Sequence, residues 1–178
     1  MNKALWQPIL GLVALLLCAA LILGGWFWYD ASVDRSGWVE RNGVTYYKDA
    51  KGHPVTGWQQ IQGETFYFTE NGTMATGLVE IAGNRHYFSP EGKALTGWQT
   101  IEDKRYYFTT EGQALTGWQE VDGIRRLFDE HGAAVSGWFA DESGKYYLND
   151  GIRHTGWLEQ DGSRYHFGEN GIMTVGWL

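Results

Sequence analysis

A glycine followed by a bulky residue, almost always tryptophan, recurs along this chain at near-constant spacing. The pairs are Gly37-Trp38, Gly57-Trp58, Gly97-Trp98, Gly117-Trp118, Gly137-Trp138, Gly156-Trp157 and Gly176-Trp177, with Gly77-Leu78 in the remaining slot. The step is 20 residues everywhere except between Gly137 and Gly156, where it is 19. A period of this length signals a stacked array of small units, none of which can bury its apolar face alone. Composition agrees: 25 Gly, 10 Trp, 10 Tyr and 8 Phe against 3 Pro favour many short strands joined by tight turns.

Let the Gly of each pair be position 0. Positions 5 and 6 then read Asn42-Gly43, Gln62-Gly63, Ala82-Gly83, Asp122-Gly123 and Asp161-Gly162. These are two-residue hairpin turns, in which both residues need positive φ. Glu102-Asp103 lacks the Gly, and Glu142-Ser143-Gly144 has it one place late, so both turns are expected to be distorted.

A two-residue turn fixes the register. Trp38 should face Tyr47, Trp58 should face Tyr67, and Trp98 should face Tyr107. Each is a cross-strand aromatic pair worth roughly 0.2–1 kcal/mol. Positions 3 and 8 should oppose Glu80 to Arg85, Glu120 to Arg125 and Glu159 to Arg164 as ion pairs. Positions 4 and 11 carry the core side: Ile61/Phe68, Ile81/Phe88, Ile101/Phe108 and Val121/Phe128. Positions 1, 3, 8 and 10 share the other face, where aromatics sit beside charge. A second turn glycine follows at position 15, as in Gly52, Gly72, Gly92, Gly112, Gly132 and Gly171.

The expected fold is therefore all-β: a solenoid of stacked β-hairpin repeats spanning 37–178, seven repeats plus a terminal Gly-Trp cap. A short linker, 30–36, joins it to the N-terminal segment, 1–29. There, Ile9 to Tyr29 is an uncharged run of 21 residues, long enough to span a bilayer as one transmembrane helix. Lys3 and the free amine precede it, and Asp30, Asp34 and Arg35 follow; the positive-inside rule places the N-terminus in the cytoplasm and the repeats outside. Trp26-Phe27-Trp28-Tyr29 suits the membrane interface. The alternatives are a signal peptide cleaved after Cys18-Ala19-Ala20, leaving a secreted, wall-associated protein, and lipidation at Cys18. Cys18 is the sole cysteine, so no disulfide framework forms within the chain.

From Asp30 onward there are 13 Lys and Arg against 21 Asp and Glu, a net charge of −8. Nucleic-acid partners, which call for a basic face, are disfavoured. The five histidines, His53, His86, His131, His154 and His166, fall at scattered repeat positions without metal-ligand spacing. There is no nucleophile elbow and no phosphate loop. Neither catalysis nor a cofactor is expected.

The run Thr96-Gly97-Trp98 through Tyr106-Tyr107-Phe108, Gly112 and Thr116-Gly117-Trp118 resembles the cell-wall-binding, or choline-binding, repeat family. In wording it is closer to the glucan-binding and toxin-repeat branch. The resemblance covers residues 37–178. It implies a hairpin solenoid with aromatic-walled ligand sites between successive repeats. Carried over residue by residue, it implies binding through Trp38, Tyr47, Trp58, Tyr67, Trp98, Tyr107, Trp118, Trp138, Tyr147, Trp157 and Trp177, with Met74 and Met173 at position 17. The grooves should run from one indole to the next. The chain departs from choline sites at position 8, which is Thr45, Thr65, Arg85, Arg105, Arg125, Lys145 and Arg164 rather than aromatic. A cation there repels choline unless a carboxylate neutralises it. The expected function is a membrane-held, non-catalytic module that binds cell-wall glycan, glucan or teichoic-acid polymer. The alternatives are recognition of phosphocholine on teichoic acids, and a structural spacer or protein-docking solenoid.

Overall fold

The computed structural model describes residues 34–175. The expected anchor Ile9–Tyr29, Cys18 within it, and Trp177 lie outside these residues. Among the described residues, no helix is long and apolar enough to cross a membrane. They form fifteen strands, all in antiparallel hairpins. Two compact units divide the chain: Met1–Thr56 with Glu70–Thr73, and Gly57–Thr69 with Met74–Leu178.

Among the described residues, the first unit contains one hairpin, β1 (Gly37–Arg41) and β2 (Val44–Lys48). Asn42 at φ 54° and Gly43 at φ 73° make the expected turn. The register sets Trp38 against Tyr47, with ring centroids 5.1 Å apart edge to face. Beyond β2, the Asp49 carboxylate accepts the Lys51 and His53 amides at 2.9 and 2.8 Å, folding the chain back.

The second unit repeats that hairpin six times. Its strands are β3 (Gly57–Ile61) with β4 (Glu64–Phe68), β5 (Gly77–Ile81) with β6 (Asn84–Phe88), β7 (Gly97–Ile101) with β8 (Lys104–Phe108), and β9 (Gly117–Val121) with β10 (Ile124–Phe128). Then come β11 (Gly137–Asp141), β12 (Gly144–Asn149) and β13 (Ile152–Arg153), and finally β14 (Gly156–Gln160) with β15 (Ser163–Phe167). Each register is the one a two-residue turn dictates. The core is built from position 11: Phe68, Phe88, Phe108, Phe128, Leu148 and Phe167 are at most 1% exposed. Burying each contributes about 1.5–3 kcal/mol. Position 9 is also buried, at Phe66, His86, Tyr106, Arg126 and Tyr146.

One backbone contact stacks the hairpins. The position-17 amide of a repeat donates to the position-8 carbonyl of the repeat before it: Ala94 to Thr65, Ala114 to Arg85, Ala134 to Arg105 and Met173 to Lys145, at 2.7–2.8 Å. The second glycine serves that stack. At Gly132, φ is +84° and an added Cβ would lie 2.8 Å from Ala114 Cβ of the preceding repeat, so both backbone and space demand Gly.

Two expectations need correction. Glu102-Asp103 is not distorted. Its φ values of 48° and 63° reproduce the Asn-Gly type of turn, and Ile101 still faces Lys104. The strand pairing on either side imposes the left-handed conformation on residues that do not favour it. Glu142-Ser143 also keeps the register, Asp141 facing Gly144, but neither central residue has positive φ; the Ser143 amide instead donates to Asp141 Oδ1 at 2.8 Å. The expected ion pairs also form only in part. Glu159–Arg164 closes at 3.3 Å. Arg85, although opposite Glu80, donates to the His131 carbonyl at 3.2 Å, and Arg125 turns onto the Trp118 ring.

The 19-residue step has a clear cause. Asp150 (φ 52°) and Gly151 (φ 78°) form a second tight turn that pairs β12 with β13, replacing the longer loop of the other repeats.

Candidate functional site

The predicted aromatic pairs form. Trp58–Tyr67, Trp98–Tyr107 and Trp138–Tyr147 meet edge to face at 5.1, 5.2 and 5.4 Å. The grooves, however, do not run from indole to indole. In the second unit, the position-1 indole of one repeat packs on positions 9 and 11 of the next: Trp58 on His86 and Phe88, Trp98 on Phe128, and Trp138 on Tyr165 and Phe167. The strand's period of two explains this. The face carrying positions 1, 3, 8 and 10 of one hairpin lies on the core face of its successor. The indoles are thus half-buried. Trp58 is 42%, Trp138 36% and Trp157 54% exposed.

The remaining ring surface differs sharply between repeats. Arg105 and Arg126 lie 4.2 and 4.9 Å from the Trp98 centroid. Arg153 and Arg125 lie 4.3 and 5.4 Å from that of Trp118. Lys145 Nζ is 4.2 Å from Trp138, and Arg164 is 4.6 Å from Trp157. Four of these six cations come from position 8, a diagonal cross-strand neighbour of position 1, within reach of a long side chain. Cation–π attraction holds them there. The position-8 cations are plain in the sequence, but their seat on their own repeat's indole is not; the diagonal register is the signal that points to it.

Trp98 is the most fully engaged. Its Nε1 donates to Asp122 at 3.0 Å, and both guanidiniums on it are held by Asp150, Arg126 at 3.3 Å and Arg105 more closely. Arg126-Leu127, which stands where most repeats have two aromatics, thus supplies a buried cation.

Trp58 is the exception. No Lys or Arg among the described residues lies over it. Its position-8 residue is Thr65, and where the other repeats place a cation there is a cleft of about 290 Å³. Trp58 and Thr65 form one wall, Ala94 and Thr96 of the next repeat a second, and Thr110 and Glu111 of the repeat after that a third. The Thr109 and Thr110 hydroxyls hold the Glu111 carboxyl below its ordinary pKa, so it is anionic at neutral pH. Tyr67, His86 and Phe88 pack around the indole. A half-open indole face beside a carboxylate, without a competing cation, suits a soft positive charge that cannot donate hydrogen bonds.

The two methionines do not line this cleft. Met74 covers the Gly92 turn, where a Cβ would overlap its thioether, and Met173 bridges to Phe167. Tyr47 and Trp38 stay together in the first unit. His166 packs on Trp157 at 4.9 Å in place of the usual Tyr.

Comparison with known proteins is consistent with this geometry. Residues 55–95 and 95–123 match the family model described as choline-binding repeat, and residues 155–173 match that described as putative cell wall binding repeat. Among solved structures, the chain is similar to choline-binding protein F from Streptococcus pneumoniae, crystallised in the presence of a peptidoglycan analogue. Identity is 29% and the TM-score 0.68, over 80% of this chain and 53% of that one. It is similar to CbpJ from Streptococcus pneumoniae TIGR4 at 29% identity and a TM-score of 0.67, over 78% of this chain and 48% of that one. The choline binding domain of Spr1274 in Streptococcus pneumoniae is 31% identical with a TM-score of 0.41, the match covering 46% of this chain and 96% of that one. This chain spans about half the length of the first two. No curated protein sequence matches it significantly.

Proposed function

Because the repeats of this chain belong to the choline-binding, cell-wall-binding repeat family, we propose that the protein is a non-catalytic surface module whose Trp58 cleft takes choline headgroups of wall polymers. The observation that carries the reading is the open Trp58 face beside Glu111; among the described indoles of the second unit, the others each have a Lys or Arg over the ring. A trimethylammonium group cannot donate a conventional hydrogen bond. It is held by an aromatic face and a nearby negative charge, worth about 0.5–2 kcal/mol for the cation–π part.

Sequence alone leans toward a neutral glycan, because position 8 is so often cationic. That objection applies to Trp98, Trp118, Trp138 and Trp157 but not to Trp58, where position 8 is Thr65. The name of the 29%-identical choline-binding protein F supports choline as the ligand class. The uncharged run Ile9–Tyr29 would anchor the module with its N-terminus in the cytoplasm and the repeats on the outer, wall-facing side.

Retention of the full chain on choline-agarose, with elution by free choline, tests the reading. Trp58→Ala should weaken binding roughly tenfold, the scale of one cation–π contact with its packing, while Trp157→Ala should leave it within about twofold. Retention on dextran but not on choline-agarose would transfer the cleft to a glycan. Retention on neither, with wall binding unaffected by Trp58→Ala, would favour the spacer or docking role.

A further inference from the structure

The cations lying on the other indoles are not distributed at random. Arg105, Arg125, Lys145 and Arg164 all occupy position 8, the place that Thr65 holds in the Trp58 repeat. Each lies over the tryptophan of its own hairpin, at centroid distances from 4.2 to 5.4 Å. The Thr65 side chain borders an open cleft of about 290 Å³. A threonine cannot reach across the indole, whereas a lysine or arginine can, and its charged head then rests where an external cation would rest.

We propose that the position-8 cations are built-in occupants of the indole sites, and that the residue at position 8 sets how many choline groups the array takes. The inference rests on the reading of the Trp58 cleft given above. The Trp138 site is its clearest case. Trp138 is walled by Tyr147, Tyr165 and Phe167, with centroids at 5.4, 4.7 and 5.9 Å, an aromatic cluster as complete as that around Trp58. A single cation fills it, Lys145, and this side chain makes no ion pair among the described residues. Trp98 and Trp118 each hold two guanidiniums, and Arg164 over Trp157 is tied to Glu159. The Trp138 site is therefore a quaternary-ammonium site closed by one tethered ammonium. A tethered group competes at high effective concentration, so a weakly binding free ligand does not displace it.

The reciprocal exchange tests this. Equilibrium dialysis of radiolabelled choline against the full chain in detergent micelles gives the number of groups bound per chain, and a choline soak of crystals assigns them to individual indoles. The wild-type protein should show choline at Trp58 and none at Trp138. Lys145→Thr should add choline at Trp138, and Lys145→Arg should not. Thr65→Lys should abolish binding at Trp58 by supplying the missing occupant. Circular dichroism identifies any variant that fails to fold; the Lys145→Arg and Thr65→Lys arms then stand independently.

Choline at Trp58 in both wild type and Lys145→Thr, with Trp138 still empty, overturns the inference and leaves the Trp58 reading intact. Choline at Trp138 only in Lys145→Thr, with Trp58 empty throughout, supports Lys145 as the occupant of the Trp138 site, removes the Trp58 reading and overturns the rule that a threonine at position 8 suffices to open a site. Choline at Trp138 in the wild-type protein overturns the inference, and choline at neither indole in any variant removes both.

Discussion

His86 stands at position 9, where Phe66, Tyr106, Tyr146 and Tyr165 stand in other repeats. It is 4% exposed, packs on Trp58 at 4.9 Å, and its Nδ1 is buried without a hydrogen-bond partner. Burial pushes its pKa below the ordinary 6.5, and the nearby Gly112 backbone opposes only part of that push. The unfolded chain therefore takes up a proton near pH 6.5 that the folded chain refuses. Stability should be complete above that pH and fall as the pH drops toward the depressed folded value. Thermal melts at pH 7.5 and 5.5 should show a larger loss of Tm in the wild-type protein than in His86→Tyr, which restores the usual ring. Equal losses in the two proteins would mean that the acid sensitivity lies elsewhere. The same residue borders the Trp58 indole, so a charge on it would also disfavour a cation in the cleft, and choline binding should weaken only at the lower pH where the folded protein itself takes up the proton.

At the scale of the hairpin, most of the architecture was legible in the sequence. Asn-Gly and Asp-Gly turns, alternating faces and a 20-residue period specify register and core, and the strands follow them residue by residue. What a local reading misses is set by contacts beyond the residues themselves. The two residues of the Glu102-Asp103 turn alone predict distortion, yet the ladder on either side holds both at φ 48° and 63°. That conformation costs on the order of 1 kcal/mol per non-glycine residue. Asp103→Gly should accordingly raise stability by about 1 kcal/mol in chemical denaturation, with the register unchanged; a loss of stability would show that the Asp103 side chain makes a compensating contact. The site was legible in the same partial way. The indoles and their facing tyrosines follow from register, and the position-8 cations were visible, but their seat on the rings depends on side-chain reach. Glu111 and Thr110 enter the Trp58 cleft from two repeats downstream, a distance at which no local pattern connects them.

Across the second unit, the stacking bonds tie each hairpin mainly to its neighbours, so stability should resemble a sum of repeat and interface contributions. Asp150 departs from that pattern. Its carboxylate holds Arg105 of the Gly97 hairpin and Arg126 of the Gly117 hairpin, its carbonyl accepts from Arg126 at 2.9 Å, and its amide donates to Ser136 at 3.0 Å. Arg126 is nearly buried and its Nε has no partner, so Asp150 supplies the counter-charge that its burial requires. Removing one member of a buried pair costs roughly 3–5 kcal/mol, and because Asp150 is partly exposed and screened, about 2 kcal/mol is the expected loss for Asp150→Ala. The loss should also be visible as reduced cooperativity. With the hub gone, hairpins before and after it can unfold separately, which lowers the urea m-value or splits the transition. Glu159→Ala, which breaks the exposed pair with Arg164, should change stability by less than about 0.5 kcal/mol and leave the m-value alone. An Asp150→Ala protein that unfolds in one transition with an unaltered m-value would show that backbone stacking alone couples the hairpins.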